Sequence, residues 1–379
     1  VENLLLEQIE LVKAGKFDDW ILPAVINDFK KREKEDLENN AKRVERMRDA
    51  YLSFVDWEEM DAQISELEKV TKEDVVRVAN QYYGKDYVAG FRIDEQHDLP
   101  SIEKPKIDPL KIDPDKQSTF MKEVEEIPYN PFSPKFIESG KDFQRKEIAK
   151  GVTLVHVTNP LNDLFATEVR MGIGNDQIPM LPYVKRMLDR AGAGEISSED
   201  LKIEWYKLAT DFGFSVREHY SSFFLNGLDE NFGASLDLVE KHLTSPNLVA
   251  ETWEETKEIM FSERDDEQKD PRALSNALAH FHRYGSESRY LKRPTDADLN
   301  ASTTESLSSL IDDLLAVDRT VLYFGPRTIE EVEEVFLKSF IGKTPTLYTP
   351  SITPDRSLKA SENQVFFLQK EMAQAQVRL

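Results

Sequence analysis

The residues of this 379-residue chain that most invite a reading as chemistry are His280 and His282, in the run AHFHRY at 279–284. Imidazole is a common zinc ligand. The run leading into the pair, PRALSNALAH, is built of helix formers, and on a helix positions i and i+2 project about 200° apart. One ion cannot take both, so the expectation is one histidine partly packed and one exposed. His97, His156, His219 and His242 are dispersed. His156 and His219 fall in predicted strands, where an ordinary hydrogen-bonded role is expected. The chain has no cysteine, which removes thiolate nucleophiles, disulfides and cysteine-based zinc sites. MGIGND at 171–176 offers Gly-x-Gly after a strand, but it lacks the third glycine of a phosphate-cradling loop. No G-x-S-x-G elbow occurs. SERDDEQKD at 262–270 reads as a solvated helix face.

Composition narrows the classes further. With 71 acidic against 49 basic residues, the formal charge is −22, which argues against a nucleic-acid backbone as partner, since that needs clustered cations. Basic or unfolded peptides complement such a charge better. A chain 40% hydrophobic and 32% charged is globular in composition, and its length suits two or three domains. No apolar run approaches the roughly 20 residues that span a bilayer, and no membrane span is expected. VENLLLEQIE at the start has no basic n-region or apolar h-region.

Up to about residue 83 the spacing is helical. Leu4, Leu5, Ile9 and Val12 lead to a stop at Gly15. A long helix tolerating Pro23 near its start runs from Asp18 and Asp19 to a break at Asn39-Asn40. Then come AKRVERMRDAYLSF, DWEEMDAQISELEKV capped by Asp56, and a helix opened by the capping-box pair Thr71 and Asp74. DYVAGFRI at 86–93 reads as a strand. Prolines 100, 105, 109, 114, 128, 131 and 134 deny the next stretch both helix and central strand. A hairpin turning at Lys150-Gly151 and a strand in DLFATEVRMGIG follow. The rest alternates helices with strands: PMLPYVKRMLDRAG, SSEDLKIEWYKLAT with Gly213 as its stop, the strand REHYSSFFLNGL, four further helices, the strand DRTVLYFGP, and a helix opened by Thr328 and Glu331.

The chain repeats itself. At an offset of 232 residues Thr71 falls on Thr303, Val75 on Leu307, Tyr82 on Leu314, Asp86 on Asp318 and Phe91 on Tyr323, and upstream Leu4 meets Leu236 and Ala41 meets Ala273. Residues 1–93 are therefore expected to be the back half of a unit whose complete copy is 144–342. Residues 94–143 are a proline-rich linker and 343–362 a second one. Residues 363–379 begin a further unit, because QVRL at 376–379 matches EVRM at 168–171. The whole reads as a fragment of a longer protein.

The order of these elements, with LDENFGASLDLVEKHLTSP at 228–246 and VTKEDVVRVANQYYGKDYV at 70–88, is similar to the pitrilysin/insulinase family of zinc metallopeptidases, the inverzincins. The resemblance implies an α+β fold of tandem metallopeptidase-like α/β units, each an antiparallel sheet covered by helices, here one partial and one complete. Four such units form two halves that close like a clamshell on a peptide. In that family an H-x-x-E-H helix and a later glutamate hold zinc. Here Pro182, Tyr183, Val184, Lys185 and Arg186 occupy the corresponding helix, and residues 178–190 contain neither His nor Glu. Glu263 matches the third ligand without its partners, so no metal and no catalytic residue is expected in this chain. Lys185, Arg186 and Arg190 instead bring positive charge to the cation position. The family's Arg and Tyr, which stabilise the tetrahedral intermediate, belong to a fourth unit, and neither Arg283-Tyr284 nor Arg289-Tyr290 lies in the matching part.

What the resemblance implies for function is a non-catalytic wall of a peptidase chamber. Its partners would be the N-terminal catalytic unit, which would carry the zinc, the C-terminal unit of the same chain, and the peptide substrate. Export to a bacterial periplasm is a further implication. A catalytically inactive peptide-binding clamp or scaffold of the same fold is the alternative, and an unrelated α+β binding module would require the repeat to be accidental.

Overall fold

The computed structural model describes residues 2–93, 103–107, 109, 113, 114, 116–129, 131, 133–347, 357–359, 362–370 and 377. Pro100, His97, residues 348–356 of the expected second linker, and QVRL apart from Val377 lie outside them.

Five helices open the chain: α1 (Glu2–Lys13), α2 (Ile21–Glu38), α3 (Asn40–Ser53), α4 (Trp57–Leu67) and α5 (Lys72–Tyr82). Local chemistry sets their ends. Gly15 takes φ +66 beyond α1, where an L side chain is strained. The Asn39 side chain accepts from the Ala41 and Lys42 amides and starts α3, and Thr71 and Asp74 form the expected capping box of α5. Asp56 precedes α4 without capping it through its side chain. α6 (Thr119–Glu125), capped by Ser118, corrects the expectation of a helix-free linker. The proline-free run between Pro114 and Pro128 leaves room for two turns.

The remaining elements form one six-stranded sheet and its helical cover. The strands are β1 (Gln144–Ala149), β2 (Val152–Thr158) and β3 (Leu164–Met171). Next come α7 (Leu181–Leu188), the two-residue β4 (Gly192–Ala193), α8 (Ser198–Lys207), β5 (Asp211–Val216), β6 (Ser221–Leu228) and α9 (Phe232–Thr244). They are followed by β7 (Pro246–Asn247), which pairs with β4, then α10 (Ala250–Glu267), α11 (Pro271–Tyr284), α12 (Arg289–Lys292) and α13 (Asp296–Ala301). Last are α14 (Thr304–Leu315), β8 (Arg319–Gly325) and α15 (Ile329–Lys338).

The strand order is β1-β2-β8-β3-β6-β5. The expected all-antiparallel sheet is corrected to a mixed one, because β2 and β8 run parallel, with Val152 opposite Arg319 and Thr158 opposite Gly325. A hairpin forces its two strands antiparallel, whereas β8 returns after a long helical crossover and is free to enter in either direction. Period-two alternation then puts Leu154, Val169, Phe223, Val321 and Tyr323 on one buried face. α9, α14 and α15 bring Phe232, Leu236, Ile311 and Phe336 onto it.

Two boundaries differ from expectation. Gly213 lies inside β5, not at a helix end; α8 has already stopped at Lys207, and Ala209 makes the turn with φ 46. His219 lies in the turn between β5 and β6, not in a strand.

The 232-residue offset carries over to the elements: α1 falls on α9, α2 on α10, α3 on α11 and α5 on α14, with ends agreeing within three residues. As α9 packs on α14, so α1 packs on α5. Residues 86–93, the counterpart of β8, are not a strand; Phe91 is 71% exposed where Tyr323 is 2% exposed. A strand forms only against a neighbour, and these residues have none among the described ones. For the same reason 363–370 show no strand. The first five helices hold to the sheet unit through α2, which packs on α8 and β3; Lys31 pairs with Asp211 and Lys34 with Asp163.

His242 on α9 gives the fold a pH dependence. It is buried, with Nδ1 3.1 Å from the Gly192 carbonyl oxygen, and burial pushes its proton affinity below the ordinary value. The unfolded chain, with a histidine pKa near 6.5, therefore binds this proton more readily than the native state does. Stability contributed by the neutral ring is full above about pH 6.5 and is lost as pH falls towards the folded pKa. His242→Gln should flatten the dependence of the urea midpoint on pH below about 6.5; equal slopes for both proteins would contradict this assignment.

Candidate functional site

α7 carries Pro182 to Arg186, the residues that the family resemblance sets against the zinc helix. Leu181, Val184, Met187 and Leu188 face inward and are buried, and Pro182 sits in the first turn, where its missing N–H is harmless. Arg186 points across to α10, where its Nη2 donates to Glu263 Oε2 at 2.6 Å. Lys185 Nζ donates to Asp189 at 2.5 Å, and Arg190 Nη1 reaches Thr256 Oγ1 at 3.3 Å. One residue beyond Glu263, Arg264 donates to the Tyr183 hydroxyl at 2.9 Å and to the Pro294 carbonyl at 2.7 Å. The residues present do not fit a zinc ion: α7 offers no His, Asp or Glu side chain, and the Glu263 carboxylate across from it is paired with a guanidinium. Among the described residues no group of three or more His, Asp or Glu side chains comes together to hold a metal.

Next to this helix is a cavity of about 970 Å³. Its floor is the β3–α7 loop with Asn175 and Asp176, and the first turn of α7 with Pro182 and Tyr183. One wall is the β5–β6 turn, Arg217 to Tyr220, and the other is the end of α11 with the chain into α12. Loop and turn are joined by backbone hydrogen bonds from Asn175 N to Arg217 O, 2.9 Å, and from Asp176 N to Glu218 O, 3.0 Å. The second glycine of MGIGND permits that approach. A Cβ on Gly174 would lie 2.3 Å from Arg217 O and 2.5 Å from Glu218 O, so its role is close backbone contact and not phosphate binding.

His280 lines this cavity and His282 does not, as their opposite projections require. The His280 ring lies 4.4 Å from that of Tyr284 and 5.7 Å from that of Tyr290, and its Nδ1 is 3.1 Å from Ser288 Oγ. Partial desolvation, then the Arg289 charge, lower its proton affinity, with Arg283 adding to this and Glu218 opposing. His282 is exposed and meets Phe366 edge-on at 5.1 Å. His219 Nδ1 stands 3.9 Å from Asp176 Oδ2. His156 is buried with Nε2 2.8 Å from Arg327 O, the hydrogen-bonded role expected of it.

Many of the lining residues stand out in the sequence one at a time, among them Tyr183, His219, His280, Tyr284, Arg289 and Tyr290, but nothing in it joins them: Asp176 and His219, 43 residues apart in sequence, share no motif.

No protein-family model matches the chain, and no curated protein matches it. Solved structures do. The periplasmic protease PqqL from Escherichia coli matches with a TM-score of 0.50 at 12% identity, over 94% of this chain and 42% of that one. The ferredoxin protease FusC, solved in complex with Arabidopsis ferredoxin, matches with 0.50 at 11%, over 84% and 38%. A peptidase M16 inactive domain from Pseudomonas fluorescens matches with 0.49 at 16%, over 55% and 52%. The chain thus spans about half or less of the length of the structures it matches. Identities this low speak to architecture alone, and on that ground the chain shares the α+β fold of the proteases PqqL and FusC.

Proposed function

We propose that the chain is a non-catalytic part of a zinc metalloendopeptidase and forms a wall of the closed chamber that encloses its peptide substrate. The observation that carries this reading is the Arg186–Glu263 pair: in a peptidase-like fold, a guanidinium on α7 stands against the carboxylate that matches a metal ligand. Zinc, and the catalytic step, belong to an N-terminal unit of the parent protein. The tandem arrangement is part of the same proposal. It is supported by Leu4, Tyr82 and Phe91, which are exposed although their counterparts Leu236, Leu314 and Tyr323 are buried against the sheet. In a second unit these side chains would cover a sheet of its own.

Two measurements test the reading. Adding zinc to the chain should leave its thermal midpoint unmoved, since only binding to the native state raises it; a structural zinc site, by contrast, contributes on the order of 10 kcal/mol. The full-length protein should contain zinc and cleave unfolded peptides. If it did neither, it would be a peptide-holding scaffold of the same fold instead.

A further inference from the structure

We propose that the cavity beside α7 binds a carboxylate-bearing peptide segment, with Arg289 and Arg217 gripping the carboxylate and Tyr284 and Tyr290 covering the neighbouring residue. This deepens the chamber-wall reading and rests on it for the peptide as ligand class. The volume, about 970 Å³, is at the upper end of the usual range for small-ligand sites, roughly 300–1,000 Å³. A few residues of extended chain fit such a space.

The charges decide the sign. Of the cations lining the cavity, Lys292 is taken by Glu287 at 2.5 Å and Arg293 by Glu267 at 2.7 Å. Arg217 and Arg289 make no ion pair among the described residues, and both are exposed. On the acidic side Asp176 faces His219 and Glu287 is held by Lys292, which leaves Glu218 alone against two guanidiniums. The chain as a whole carries −22, so a cavity with two uncommitted arginines departs from its surroundings. The guanidinium fork matches a carboxylate in bidentate geometry. The aromatic wall adds apolar contact: Arg289 already lies over the Tyr290 ring at 5.4 Å, and the His280 ring packs tilted against Tyr284 and edge-on to Tyr290. A lone inorganic anion would leave that wall without a partner, whereas a peptide uses both features.

The carboxylate has two possible sources, a free C-terminus or an acidic side chain. Fluorescence anisotropy of the 379-residue chain with dye-labelled hexapeptides separates them. The four probes are a Tyr-containing peptide with a free C-terminus, its amidated twin, the amidated twin with one Glu, and the amidated twin with one Lys. A carboxylate-bearing probe should bind about tenfold or more tightly than the neutral twin, the gain expected of a charge-assisted hydrogen bond. Arg289→Ala and Arg217→Ala should each erase most of that preference while leaving the unfolding midpoint in place, and Arg289→Lys should restore part of it. Preference for the free terminus alone, for Glu alone, or for both supports the proposal and names the source. Equal binding of the neutral or Lys probe, no binding of any probe at millimolar concentration, or an unchanged preference in both alanine variants overturns it. Such a failure leaves the peptidase reading standing, because zinc content and cleavage by the full-length protein report on that separately.

Discussion

Phe232→Ala should lower the unfolding free energy by about 3–5 kcal/mol, the usual loss for a fully buried aromatic. Phe232 is the first residue of α9 and is 0% exposed. Its ring centre lies 4.8 Å from that of Phe165, 5.5 Å from Tyr323 and 5.8 Å from Phe336, so it joins two strands and α15 at one point. The Arg327 guanidinium sits over it at 5.3 Å, held there by donation from Nε to Asp229 Oδ1 at 2.8 Å. Truncation removes the dispersion contacts and the apolar burial together, and leaves a void walled by two strands and two helices that cannot all relax inward. Urea unfolding checks it: the midpoint should drop with the slope unchanged. Phe224→Ala, on the open face of β6 where the side chain is partly exposed, is the comparison, and a loss at Phe232 no larger than at Phe224 would show that this cluster is not the centre of the core.

Gly174→Ala should be nearly as damaging for the opposite reason. The added methyl has no cavity to enter, and the atoms it meets, Arg217 O and Glu218 O, are backbone and cannot swing aside. Loop and turn must separate, which lengthens the two hydrogen bonds between them. Overpacking of this kind destabilises by about 1–3 kcal/mol, and each weakened hydrogen bond adds about 0.5–1.5 kcal/mol. The floor and one wall of the cavity move apart in the same event, so peptide binding should weaken along with stability. Gly233→Ala, in α9 with open space at its Cβ position, should instead be neutral or stabilising by up to about 1 kcal/mol. If the two alanine variants unfolded at the same urea concentration, close approach at Gly174 would not be what fixes this corner.

Much of the fold was legible because helices announce themselves locally. Thr71 and Thr328 cap where the sequence places caps, Asn39 both breaks α2 as expected and caps α3, and the periodicity of α9, α10, α11 and α14 needed no partner to be read. α8 is the exception in its ending, since Gly213 looks like a stop but lies five residues beyond Leu208, in the middle of an edge strand. The site was less legible. That α7 carries no metal-ligating side chain is plain from residue types alone, but that Arg186 answers Glu263 across 77 residues is not.

The sequence by itself determined the series of helices, their caps, the 232-residue repeat and the absence of histidine and glutamate from α7, since each depends on residue identity or on contacts within a turn or two. Only the tertiary structure decided that β8 runs parallel to β2, that 86–93 stays unpaired while its counterpart is a buried strand, and that Asp176, His219, His280 and Arg289 line one cavity. Strand direction and cavity walls are set by segments tens to hundreds of residues apart, and the free energy that joins them comes from burying faces against each other, which no local pattern encodes.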